Sequence, residues 1–267
     1  MTLEQALIIA FAFVLGACLG SFANVLAIRM HALSSIAGRS RCMSCKKVLR
    51  PRHMVPILSW LLLRGKCAYC KARIHFQYPL VEAAAAILTV IAALRNDPFG
   101  PMLPAFIFET AISLGLLTIV VMDLRWKELP LELMAGIGFL GLVYRIGLVT
   151  PLTAQNILSA SVSLAAAVGL AIAFFGLQWV VSSGKWLGSG DVWFGAMMGF
   201  VLGTWPQTAI AIYLAYLIGG FVVSLFFLGG VVKRGMHVAF APALALGLLL
   251  TIWFGPAIEA HILYAFT

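Results

Sequence analysis

Apolar runs of bilayer-crossing length recur along this chain, separated by short polar breaks. Eight can be marked, at about 5–28, 79–94, 103–122, 131–149, 157–181, 191–203, 207–232 and 238–254. The length that spans the hydrocarbon core as helix is roughly 17–25 residues. The sixth run is short, and the tail from 256 to 267 is ambiguous. Backbone N–H and C=O groups find no water in lipid, so these runs must be helical. The alternating segments of an outer-membrane barrel, about ten residues each, are absent. The pattern predicts an all-α polytopic membrane protein with about eight transmembrane helices. It also sets the organisation: a first transmembrane helix over 1–28, one extended polar loop over 29–78, and a multi-helix core over 79–267.

Composition agrees. Hydrophobic residues make up 63% of the 267 and charged residues only 10%, too few to cover a soluble surface. The first segment carries Glu4 and has its basic residues after the apolar run. It therefore reads as a retained helix whose C-terminal end faces the cytoplasm, not as a cleaved signal. The net charge of +9 raises the question of nucleic acid, and its placement answers it. Counting crossings from that first helix, 16 of the 18 Lys and Arg residues fall on one side, 11 of them in the loop 29–78. Only Arg95 and Arg145 fall toward the other. That is positive-inside topology with attraction to anionic lipid. The bilayer, and not nucleic acid, is the partner it implies.

The polar loop holds Cys42-x-x-Cys45 and Cys67-x-x-Cys70, with 21 residues between the pairs. Two such knuckles make a tetrahedral four-sulfur site, with the intervening hairpin bringing the second pair in. Structural zinc fits best, against redox-active dithiols or an iron centre, because the charge pattern places the loop in a reducing compartment. Neighbouring Lys and Arg favour the thiolate ligands. Metal would supply much of the folding energy of so short a loop. The apolar stretch "VPILSWLLLRG" between the knuckles is expected to pack on the membrane surface or the helical body. Cys18, in the first helix, reads as a small buried residue.

Two aspartates stand at predicted helix ends on the cytoplasmic side. Asp123 follows "LGLLTIVVM", and Asp191 sits in "GSGDVWFG". Ionisable groups at such depth are costly and are functional candidates. Two of them on one side of a bundle can meet, share one proton, and act as base and acid on water and a peptide carbonyl. Gly188 and Gly190 are expected to permit positive φ and to let a substrate backbone approach Asp191. The plainer alternatives are a helix N-cap for Asp191 and an anchor near Arg125 for Asp123.

Taken in order along the chain, these motifs resemble the bacterial prepilin peptidases, or type IV leader peptidases, over nearly its whole length. "GSFANVLAIRM" looks like that family's opening signature, and "VPILSWLLLRGKCAYC" with "QYPLVE" is similar to its cysteine loop and second-span entry. "MDLRWKELP", with Pro130 seven residues after Asp123, and "GSGDV" are similar to its two aspartate motifs. The resemblance implies a bifunctional inner-membrane enzyme. It would cut the basic leader of type IV prepilins and pseudopilins on the cytoplasmic side, after a glycine. It would then methylate the new N-terminus with S-adenosylmethionine, serving type IV pili, type II secretion or DNA uptake. Asp123 and Asp191 would be the catalytic pair, and Cys42, Cys45, Cys67 and Cys70 would hold zinc. Methylation is associated with the loop region. Glu82, the one carboxylate in or beside that loop, is its candidate; a charge favouring the helix dipole is the plainer reading.

A presenilin-type GxGD protease is a rival, echoed by Pro242-Ala243-Leu244, but Met122 replaces that group's Tyr before Asp123 and the cysteine loop is left unexplained. A transporter or zinc-dependent scaffold is the non-enzymatic rival. Three departures from the family matter: Trp193 and His237 stand where it usually carries Lys, and Ala241 where it carries Gly. A histidine titrates near about pH 6–7, so His237 predicts activity that changes over that range. A pH profile of wild type against His237→Lys tests this; a flat wild-type profile, or the same profile in both, contradicts it.

Overall fold

The computed structural model describes residues 2–230 and 238–265. His237 therefore lies outside the described residues. Nine α-helices fill most of them: α1 (Leu3–His31), α2 (Leu58–Leu62), α3 (Gln77–Arg95), α4 (Leu103–Trp126), α5 (Leu131–Gly147), α6 (Ala154–Val181), α7 (Ser189–Leu202), α8 (Trp205–Leu228) and α9 (Ala241–Ala265). Among the described residues, β-structure is confined to two single bridges in the cysteine loop. Among the described residues, six helices are long and apolar enough to cross a membrane, and the protein is a multi-pass membrane protein. The other two long helices are shorter. With 14 residues, α7 rises about 21 Å, less than the roughly 30 Å hydrocarbon core. The ambiguous tail continues α9 past Pro256, an interior proline that has no N–H to give to the ladder.

The chain divides after Val121 into two compact units. In the first, α1 packs on α3 through a stripe of small residues. A Cβ on Gly16 would stand 2.7 Å from the Ala85 carbonyl, and one on Gly20 would stand 2.8 Å from the Glu82 Cα. Cys18 points away from that stripe and is exposed, which corrects the expectation of burial. It occupies the outward face of α1, where a small apolar thiol meets lipid without penalty.

In the second unit α7 is the hub, packed against α5, α6, α8 and α9. It is buried almost all round, as a helix in the middle of a bundle must be. Glycines set how closely its neighbours come. A Cβ on Gly199 would lie 2.7 Å from the Val168 Cα of α6, and one on Gly141 of α5 would lie 2.8 Å from the Val201 Cα. Small residues at such crossings let backbones approach where lipid offers no hydrophobic drive. Gly203 ends α7 in a left-handed conformation at φ 74. Arg145 of α5 then donates to the Val201 carbonyl at 3.0 Å, and Ser163 of α6 donates to that of Gly203 at 3.2 Å, satisfying the helix end.

Gly199→Leu forces the α6–α7 crossing apart and is expected to cost about 1–3 kcal/mol. The check is thermal unfolding in detergent, with Gly169→Ala as control, since nothing lies within 4 Å of a Cβ at Gly169. The control should melt like wild type.

Candidate active site and metal centre

The cysteine loop is built from two copies of one device. In the first knuckle the Cys42 N–H donates to the Lys47 carbonyl at 3.0 Å, and the Lys46 N–H returns to the Cys42 carbonyl at 2.9 Å. In the second, Cys67 pairs with Ala72 at 2.8 Å and Lys71 with Cys67 at 3.1 Å. Lys46 and Lys71 follow the second cysteine of each pair and take left-handed φ values of 58 and 59. The repeat Cys-x-x-Cys-Lys was the available signal for this symmetry. No hairpin joins the knuckles, contrary to expectation. Pro51 opens a single 3-10 turn and the leucine-rich stretch forms α2. The Trp60 indole donates to the Ile74 carbonyl at 3.2 Å, pinning α2 to the second knuckle. Gly65 fits beneath that ring, where a Cβ would stand 2.9 Å from it, and its φ of 65 also favours glycine.

The four sulfurs lie within 4.8 Å of one another, and Cys42 and Cys70 stand 3.8 Å apart. A tetrahedron with metal–sulfur bonds of about 2.3 Å has edges of about 3.8 Å, so the cluster fits a metal ion. The Cys45 backbone N–H, aided by smaller bonds from Ser44 and from the neighbouring thiols, holds the Cys42 thiol down at about 6. For Cys70 the Ala72 N–H pulls downward, but burial and the sulfurs of Cys45, Cys67 and Cys42 outweigh it and push the thiol up to about 11. Packed this closely, the sulfurs resist losing their protons together, which a bound cation would reverse.

Glu82 lies on the first turns of α3 and is 7% exposed. Its Oε2 accepts the Ile57 N–H at 2.7 Å. Ile57 has φ 62 and ψ −55, and the Leu58 N–H bonds back to the Pro56 carbonyl at 2.6 Å. That is a strained three-residue turn for a β-branched residue, and the buried carboxylate holds it. Beside it, Asn24 donates to the Tyr78 carbonyl at 3.2 Å and Gln77 donates to Asn24 at 3.2 Å. The "GSFANVL" and "QYPLVE" segments therefore meet. Glu109, which the sequence reading did not single out, is a second buried acid on α4. It bonds Asn96 at 2.8 Å and pairs with Arg95 at 3.4 Å.

In the second unit, Asp123 and Asp191 are 7% and 8% exposed, and Asp123 is close enough to act electrostatically on Asp191. Asp191 is the third residue of α7, and its Oδ2 accepts the Gly188 N–H at 3.0 Å. Asp123 lies in the last turn of α4, and its Oδ2 accepts the Ala241 N–H at 3.0 Å from the start of α9. Both carboxylates thus bind N–H groups that helix starts leave unpaired. Arg125 lies over the Trp126 ring at 5.0 Å; Lys127 is the cation within electrostatic reach of Asp123.

The glycines act otherwise than expected. Gly188 has φ −76 and Gly190 is helical, so neither needs positive φ. Gly188 supplies the N–H that holds Asp191. Gly190 makes room for Leu129, whose Cδ1 would be 2.7 Å from an added Cβ. Leu129 belongs to "MDLRWKELP", so the glycine packs one aspartate motif against the other. Three residues that the sequence reading did not single out, Tyr216, Gln178 and Phe240, stand at this end. Tyr216 donates to Gln178 at 2.8 Å, stacks edge-on with Phe240 at 5.3 Å, and is within electrostatic reach of Asp191. Ala241, singled out in the sequence as a departure from the family, supplies the backbone N–H to Asp123. Trp193 is exposed and lines an apolar groove between α5 and α7.

Two buried carboxyl groups within electrostatic reach of one another, in a unit of apolar helices, are an arrangement suited to acid–base chemistry. Comparison with known proteins extends this. Residues 14–96 match the model of the bacterial peptidase A24 N-terminal domain, and residues 110–225 match that of the type IV leader peptidase family. A Bacillus subtilis protein named prepilin leader peptidase/N-methyltransferase is 33% identical over 92% of this chain and 94% of its own length. An Escherichia coli protein named type 4 prepilin-like proteins leader peptide-processing enzyme is 32% identical over 80% and 75%. A Stutzerimonas stutzeri prepilin leader peptidase/N-methyltransferase is 28% identical over 94% and 92%. No solved structure matches. The chain belongs to the type IV leader peptidase family.

The cluster is expected to hold one metal ion per chain. Elemental analysis of the purified protein checks this, with Cys67→Ser expected to lose most of the metal; full retention in that variant contradicts the assignment.

Proposed function

We propose that this protein is a prepilin peptidase and N-methyltransferase of the bacterial inner membrane, with Asp123 and Asp191 as its catalytic pair. It cuts the leader of type IV prepilins or pseudopilins after glycine, at the cytoplasmic face, and methylates the new N-terminus. One observation carries the peptidase reading: two aspartates, 68 positions apart in sequence, are buried together and each is held by a backbone N–H. The family membership supports the substrate class. The positive-inside charge pattern supports the cytoplasmic placement of the loop and both aspartates.

With one carboxyl protonated and one ionised, the ionised member removes a proton from water. Oxygen adds to the scissile carbonyl, which the protonated member polarises. The C–N bond then breaks and the amine takes up the proton. Fixing each Oδ2 on an N–H leaves Oδ1 of each aspartate for water and peptide, and removes the need to reorganise during the reaction.

The domain reading follows the same lines: the loop 29–78 serves methylation, and 79–267 carries the peptidase. S-adenosylmethionine supplies the methyl group. The four cysteines hold Zn2+ as a structural ion, which the all-sulfur ligand set favours. Glu82 is the candidate for methyl transfer, and its bond to Ile57 supports a role in positioning the loop for that reaction.

Asp123→Asn and Asp191→Asn are each expected to lower cleavage of a prepilin by about 10²–10⁴-fold while the protein stays folded. Gly190→Ala should impair cleavage by displacing Leu129, whereas Gly188→Ala keeps the N–H and has room for its methyl group. Unimpaired cleavage by both Asn variants would remove the aspartates from the chemistry.

A further inference from the structure

A groove of about 450 Å³ lies beside Trp193, between α5 and α7. On α5 its lining repeats every three or four residues, through Leu131, Ala135, Gly138 and Leu142. On α7 Trp193, Ala196 and Phe200 continue the same stripe. The two helices run parallel here, because Gly138 faces Met197 and Gly141 faces Val201. One end of the groove is therefore level with Pro130 and Asp191, where both helices begin. From Leu131 to Leu142 it extends about 16 Å away from the carboxyl pair.

The lining has no charged side chain. An extended peptide would leave its N–H and C=O groups unpaired there, whereas a helix satisfies its own. Ala135, Gly138 and Ala196 keep the floor low, as close helix approach requires. Phe139, which is 67% exposed, forms part of the wall, and Met134 and Met197 can adapt to differing side chains.

We propose that this groove seats an apolar helical segment of the prepilin substrate, with the peptide bond preceding that segment delivered to Asp191. The inference rests on the peptidase reading above. Its grounds are continuity with the carboxyl pair and a length of about three helical turns, the helix-in-groove mode of recognition. Trp193 then becomes a wall of the substrate seat.

The test uses the full-length chain in proteoliposomes with a full-length prepilin. A photo-cross-linking amino acid replaces Phe139 in an Asp191→Asn background that leaves the prepilin uncut; Val162 on α6 serves as control. Adducts to an apolar segment of the prepilin following its leader are expected from position 139 and not from 162. In the otherwise wild-type enzyme, Ala135→Trp should raise KM for prepilin about tenfold or more and leave kcat within about twofold. Adducts to lipid alone or to a second copy of this chain overturn the proposal, as does an unchanged KM or a loss confined to kcat. A wild-type enzyme that cuts prepilin while the groove variants behave like it sinks the groove alone. One that cuts no prepilin sinks the peptidase reading and the groove with it.

Discussion

Two backbone N–H groups, on Gly188 and Ala241, fix the carboxylates on which the proposed chemistry of the second unit depends. A buried carboxylate in a bilayer needs compensation. A lysine or arginine could give it, but would clamp the charge that has to move during acid–base work. The start of a helix gives partial positive charge and an unpaired donor without a side chain. Asp191 takes that donor from its own helix, and Asp123 takes it from a helix that begins 118 residues later.

The packing around α7 follows from holding those groups in place. Gly141, Gly195 and Gly199 remove side chains where α5 and α6 cross α7, and the Phe175 ring fills the space beside Gly195. Gly190 does the same for Leu129. At the far end, Arg145 and Ser163 close the carbonyls of α7 and keep a short helix from fraying. In the first unit an analogous economy operates. Glycines on α1 admit α3, and Glu82 spends its charge on a strained turn in the cysteine loop.

Much of this was legible in the sequence. The apolar runs gave helix boundaries to within a few residues for most elements, because membrane spans are set by length and composition. Asp123, Asp191 and the four cysteines stood out because an acid in an apolar run and a doubled Cys-x-x-Cys are chemically costly without a use. What stayed hidden depends on long-range geometry or on backbone atoms. Ala241 contributes only an N–H, so its residue type carries little signal. Gly190 was expected to permit positive φ, whereas it is helical and packs against Leu129. Tyr216 and Gln178 look like ordinary residues of apolar helices until α6 and α8 bring them together. Lys46 and Lys71 take a conformation usually left to glycine, and no composition rule points to them.

The central claim, that one chain both cuts and methylates, is tested most directly by the intact mass of a native prepilin after co-expression with this protein. The account predicts a product shortened by its leader and carrying one added methyl group. A native prepilin recovered at full length would contradict it.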